Sequence, residues 1–128
     1  MTDLIACLGT GKGTWTGVLK LVSKPDFENI FLVVNSWTKE NLKLSKPNIN
    51  FVMINSDDKT SIIRDTIIGQ LHNKIKGFEV AVNLDSGTGK EHTALVTALI
   101  KLGLALRFVV CEGDNMEEVS TNISYGEE

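Results

Sequence analysis

Leu4-Ile5-Ala6-Cys7-Leu8-Gly9-Thr10-Gly11-Lys12-Gly13-Thr14-Trp15 begins as an apolar run, breaks into a glycine loop and resumes as an amphipathic stretch. Five apolar residues in a row suit a strand buried on both faces, and the stretch 14–23 behind the loop carries helical spacing. The same order recurs along the chain. Apolar runs lie at 30–34, 50–54, 79–84 and 105–111, separated by helical candidates at 37–45, 60–76 and 90–102. In the candidate at 60–76, Ile63, Ile67, Leu71 and Ile75 make one apolar stripe, and Gly77 stands where a left-handed helix cap is favoured.

Strand–helix alternation of this kind predicts an α/β fold with a mainly parallel sheet and right-handed crossovers. The expected architecture is a Rossmann-like three-layer sandwich, with five strands in the order 3-2-1-4-5, over residues 1–112. Residues 113–128 are polar and acidic, and suit either a tail or an edge hairpin through Met116–Val119. Asn122-Ile123-Ser124 matches the glycosylation sequon, to which a chain without secretory features gives no meaning. The helix at 90–102 is apolar nearly all round, through Ala94, Leu95, Val96, Ala98, Leu99, Ile100 and Leu102. Such a helix needs cover on more than one side, by its neighbours or by a second copy, and a homodimer is the expectation.

A chain of 128 residues is about one domain's worth, and 42% hydrophobic with 23% charged residues is the composition of a folded globule. No apolar run approaches the ~18 residues of a membrane span. The chain opens directly on the first strand, leaving no room for a leader, so cytoplasm is expected. The net charge of −3 hides an asymmetry: residues 1–111 hold 13 bases against 10 acids, while the other six acids lie beyond. A weakly positive body suits a small anion but lacks the basic footprint of a duplex-DNA binder. Cys7 and Cys111 show no metal or redox spacing and read as buried free thiols. No His, Cys, Asp or Glu cluster has metal-ligand spacing, and no metal or cofactor is expected.

A second glycine loop, Asp85-Ser86-Gly87-Thr88-Gly89-Lys90, follows the fourth strand. In a 3-2-1-4-5 sheet the first and fourth strands are neighbours, and the crevice between their loops is where open α/β sheets bind ligands. Glycines let backbone N–H groups approach a ligand, helix N-termini add positive dipole ends, and Lys12 and Lys90 add full charge. A phosphate-bearing ligand follows. The expected contacts are Gly9, Thr10, Gly11, Lys12, Gly13, Thr14 and Trp15 from the first loop, and Asn35 at the end of the second strand. The second loop contributes Asp85, Ser86, Gly87, Thr88, Gly89 and Lys90, with His92 one helical turn further on. Trp15 suits base stacking or a place in the core; His72 reads as solvated.

Familiar phosphate motifs do not fit. A Walker A loop ending at Gly89-Lys90 needs glycine where Leu84 stands and Ser or Thr where Glu91 stands. A dinucleotide fingerprint starting at Gly9 meets Thr14 at its last glycine, and the second strand ends Val34-Asn35-Ser36 without an acid. A nucleophile elbow at Ser86 lacks glycine at Leu84.

The two loops together resemble the CARF domain (CRISPR-associated Rossmann fold), whose late motif runs approximately Asn-x-Thr-Gly-Gly-Thr-Lys before an Ala/Leu-rich helix. Asn83, Ser86, Gly87, Thr88 and Lys90 carry that resemblance, with Gly89 intervening before the lysine. The resemblance implies a homodimer whose two crevices merge into one pocket for cyclic oligoadenylate, the messenger of type III CRISPR antiviral defence. With no effector domain alongside, it implies a stand-alone ring nuclease. There a ribose 2′-hydroxyl attacks its 3′ phosphate without metal, leaving linear products with a 2′,3′-cyclic phosphate. Lys90 and Lys12 would stabilise the phosphorane; Thr10, Thr14, Ser86 and Thr88 would orient ribose and phosphate, Thr10 and Ser86 being counted with the catalytic set. A non-catalytic sensor or sponge for the same messenger is the alternative, and an unrelated nucleotide-binding enzyme of flavodoxin-like fold is a second.

Overall fold

Side-chain alternation along the central strands builds two cores, one on each face of the sheet. The computed structural model describes residues 2–119. Its strands are β1 (Thr2–Cys7), β2 (Phe27–Val34), β3 (Ile49–Met53), β4 (Glu79–Asn83), β5 (Ala105–Glu112) and β6 (Asn115–Val119). The helices are α1 (Trp15–Val22), α2 (Ser36–Asn41), α3 (Thr60–Leu71) and α4 (Gly89–Lys101), with a 3-10 turn at Lys12–Thr14 leading into α1. The strand order is 3-2-1-4-5-6, parallel from β3 to β5. The fold is thus the expected mainly parallel α/β sandwich, with the C-terminal hairpin adding a sixth, antiparallel edge strand.

Ile5, Cys7, Phe31, Val33, Val80 and Val82 point to one face, where α3 and α4 cover them with Ile63, Ile67, Leu71, Ala94, Leu95, Ala98 and Leu99. Leu4, Ala6, Leu8, Ile30, Leu32 and Val34 point to the other, beneath Trp15, Val18, Leu21 and Val22 of α1. Burying a Leu or Val side chain in this way contributes about 1.5–3 kcal/mol, which makes the alternation the main source of stability. The apolar excess of α4 is largely accounted for within the chain, since sheet and α3 take Ala94, Leu95, Ala98 and Leu99. Ile100 remains 61% exposed.

Two helix ends differ from expectation. The second helix stops at Asn41 rather than at 45, because Leu42 is extended (ψ 115°) and, with Leu44, packs onto the α1 core. The third stops at Leu71 rather than at 76. Asn73, at φ 61°, takes the left-handed position expected of Gly77; asparagine tolerates it better than most residues. Ile75 then lies outside the helix, yet still reaches the core that Ile63, Ile67 and Leu71 occupy. Gly77, at φ 82°, instead serves the turn into β4.

The hairpin closes through Gly113 at φ 64°. Its acids meet bases of the body: Arg107 Nη2 stands 2.8 Å from Glu118 Oε1, and Lys20 Nζ stands 3.5 Å from Asp114. The acidic segment is therefore docked as an edge strand as far as Val119; the sequon at 122–124 lies outside the described residues. No helix among the described residues is long and apolar enough to cross a membrane.

Cys7 is buried but Cys111 only partly so, a correction to the expectation of two buried thiols. Burial, and secondarily the Glu91 carboxylate, pushes the Cys7 thiol well above the usual range and keeps it protonated. A chromogenic disulfide reagent at pH 8 is therefore expected to titrate Cys111 in the native protein and Cys7 only after denaturation. Equally fast reaction of both would contradict the burial of the β1 end.

Candidate functional site

β1 and β4 are adjacent, so the loops that leave their carboxyl ends face each other. They do more than face. A Cβ placed on Gly9 would stand 2.9 Å from the Cα of Gly87 and 3.0 Å from its nitrogen. Only hydrogen at Gly9 allows this approach. Gly87 is further bound to be glycine by its φ of 102°. Gly11 and Gly13, by contrast, have open space where a side chain would stand.

Ser86 locks the contact. Its side chain is buried, and its Oγ accepts the Gly9 N–H at 2.9 Å. Thr14 Oγ1 lies 2.7 Å from Ser86 Oγ and 2.8 Å from the Gly11 carbonyl. Since a carbonyl only accepts, one proton order satisfies every group: Gly9 N–H to Ser86, Ser86 O–H to Thr14, Thr14 O–H to Gly11. Trp15 Nε1 donates to the Gly9 carbonyl at 2.7 Å, and the buried Thr38 hydroxyl donates to the same oxygen at 3.3 Å. The other loop is braced by His92, whose Nε2 lies 2.6 Å from the Ser86 carbonyl and must carry the proton. Asn83, fully buried, donates to the Val109 carbonyl and accepts from the Asp85 N–H.

Between the locked loops lies a cleft of about 220 Å³, lined by Gly9, Thr10, Gly11, Thr14, Asn35, Ser56, Gly87, Thr88 and Glu91. Seven of these were expected from sequence; Ser56 and Glu91 were not. Thr88 caps α4, accepting from the Glu91 N–H at 3.1 Å, while Glu91 Oε1 accepts the Thr88 N–H at 2.9 Å. The spacing Thr88-x-x-Glu91 is a capping-box signature and was legible as such. Glu91 Oε2 accepts the Ser56 hydroxyl at 2.7 Å, and Ser56 accepts from Asn35 Nδ2 at 3.2 Å. Asn35 also caps α2 by accepting the Thr38 N–H at 2.8 Å. One polar chain thus links the carboxyl ends of β2, β3 and β4.

Other expected contacts lie elsewhere. Lys90 is exposed, and its Nζ donates to the Ser56 carbonyl at 3.1 Å. Lys12 Nζ sits 5.9 Å from the ring centroid of Trp15 and 5.7 Å from that of Trp37. Trp15 is 7% exposed and belongs to the α1 core, not to a stacking surface. Asp85 is directed at α1, where a Cβ on Gly17 would stand 2.8 Å from its Oδ2. Gly13 and Gly89 do not line the cleft, and Ser86 and His92 brace its loops without lining it. His72 is exposed, as expected.

The cleft therefore combines hydroxyl donors and a carboxylate in one lining. Loop hydroxyls and backbone N–H groups suit phosphate oxygens, whereas Glu91 repels them and attracts a hydroxyl or amine. Among the described residues no group of three His, Cys, Asp or Glu is placed to hold a metal ion.

Gly9→Ala is expected to destabilise the protein by about 1–3 kcal/mol in urea unfolding, since backbone must move to admit the methyl. Gly11→Ala should change stability by less than about 0.5 kcal/mol. Equal effects would show that the loop contact is not what requires glycine.

No family model matches the chain, and no curated protein matches it either.

Proposed function

We propose that the cleft binds the ribose and phosphate of a cyclic oligoadenylate, shared between two copies of the chain, and opens the ring by attack of a ribose 2′-hydroxyl on the adjacent phosphate. The observation that carries this reading is that Glu91 and the Thr10–Gly11 loop line one cleft. A ribonucleotide diester presents a hydroxyl and an anion side by side, and the lining offers an acceptor and donors to match. The identity of the messenger rests on the resemblance to CARF domains.

Size supports sharing. Sites that enclose a drug-sized molecule run to about 300–1,000 Å³, and about 220 Å³ holds no more than part of a four- or six-nucleotide ring. A two-fold axis would set equal clefts against opposite nucleotides.

In the ring-opening step Glu91 accepts the 2′ proton as the O2′–P bond forms. The P–O5′ bond breaks, and water protonates the departing 5′ oxygen. Ser56 and the Thr88 N–H hold the carboxylate in place for this. Thr10, Thr14 and Thr88 orient the diester, and Ser86, buried and fully bonded, acts as a positioning residue. The negative end product is a linear oligonucleotide with a 2′,3′-cyclic phosphate.

Binding without cleavage is a second reading, and a specific observation favours it. Neither lysine lines the cleft: Lys90 is tied to Ser56 and Lys12 lies over the tryptophans. Cleavage requires at least one of them to turn inward on binding.

Incubation with cyclic tetra- and hexa-adenylate in EDTA separates these readings. Linear products with a cyclic phosphate terminus are expected; intact rings co-eluting with protein would indicate a sensor or sponge, and rings neither cleaved nor bound would overturn the reading. Glu91→Gln keeps the capping box and should lower the cleavage rate by about 10²–10⁴ while leaving ring affinity within a few-fold. An unchanged rate would remove Glu91 from the reaction.

A further inference from the structure

Trp37 is an aromatic side chain with no structural employment that explains its exposure. It lies in the first turn of α2, two residues beyond Asn35 of the cleft lining, and is 42% exposed. Its ring meets Trp15 edge-on, with centroids 6.4 Å apart and planes at 61°. Trp15 is itself fixed by its hydrogen bond to Gly9, so Trp37 leans on a rigid support at the rim. Lys12, next to Gly11 of the lining, holds its ammonium over both rings.

From this we infer that Trp37 is the stacking platform for the nucleobase of the ligand, with Lys12 as its mobile cationic partner. The inference rests on the reading of the cleft as a nucleotide site, and adds where the base goes. An indole face accepts any aromatic base, and stacking of this kind is tolerant of sequence. A cation over an exposed ring is held only weakly, so a phosphate in the neighbouring cleft can draw Lys12 away as the base takes its place. Trp15, at 7% exposure, cannot serve: its rings are committed to the core. The two clusters divide one ligand, the glycine loops taking sugar and phosphate and the tryptophan rim taking the base.

The chain holds only 2 tryptophans, both in this cluster, so fluorescence excited selectively at tryptophan reports on it. Fluorescence and calorimetric titrations with cyclic tetra-adenylate, cyclic hexa-adenylate, AMP and ribose 5-phosphate form the test. Quenching by an adenine-bearing probe but not by ribose 5-phosphate is expected. Trp37→Ala should weaken adenylate binding about ten-fold or more, Trp37→Phe should retain most of the affinity, and quenching should vanish in both. Circular dichroism confirms that each variant is folded. Rings that bind with equal affinity to Trp37→Ala, without quenching the parent protein, would overturn the stacking site and leave the proposed function standing. Quenching by AMP when neither ring binds would do the reverse. Absence of quenching by rings and AMP alike overturns the inference.

Discussion

Two glycines in backbone contact set the geometry on which the rest of the molecule's polar edge depends. β1 and β4 are hydrogen-bonded neighbours, and the loops leaving them would be held apart by any side chain at Gly9. With hydrogen there, the loops close to backbone distance, and Ser86 can reach across to the Gly9 N–H. That bond sits in a buried setting where an unpaired donor would cost about 1–3 kcal/mol. Trp15, Thr14, Thr38 and His92 then have fixed partners on one loop or the other. The cleft is what remains open beside this lock.

Charge is distributed in a way that the loops alone would not suggest. Glycine loops with lysines imply a positive pocket, yet the side chains that enter the cleft are hydroxyls, an amide and one carboxylate. The lysines stay at the rim, each on a partner available without ligand: a carbonyl for Lys90, indole faces for Lys12. Both are weak, solvent-accessible attachments that an anion can outcompete. Glu91 is held firmly by two donors and does not share that freedom. On the proposed function, such a cleft suits a ligand that brings its own hydroxyl to the carboxylate. That would distinguish the proposed ribonucleotide from a simple phosphate.

Much of the fold was legible because burial on both faces of a parallel sheet writes long apolar runs, as at 4–8 and 30–34. The order of the strands followed from chirality and alternation. Helix ends were less legible. Asn73 took the left-handed position where Gly77 was the better local candidate, and Leu42 left its helix for the core. Both are tertiary choices that local preference does not contain. The site was legible to the extent that it lies on the two glycine loops. Ser56 was missed because it follows the outer strand β3, and nothing local shows that its loop reaches back to α4. Glu91 was visible as a capping residue, but that it also faces the cleft depends on how the fourth helix is turned. Trp37 was passed over for Trp15, since only packing decides which of two tryptophans is covered.

The central claim is that the ligand enters between the two locked loops. The most direct measurement is an amide nitrogen–proton correlation spectrum of labelled protein titrated with cyclic tetra-adenylate. The account predicts shifts at Gly9, Gly11, Gly87 and Thr88, with Gly77 and Gly103, which precede β4 and β5 at the opposite edge of the sheet, unmoved. Shifts confined to that opposite edge, or none at millimolar ring, would contradict it.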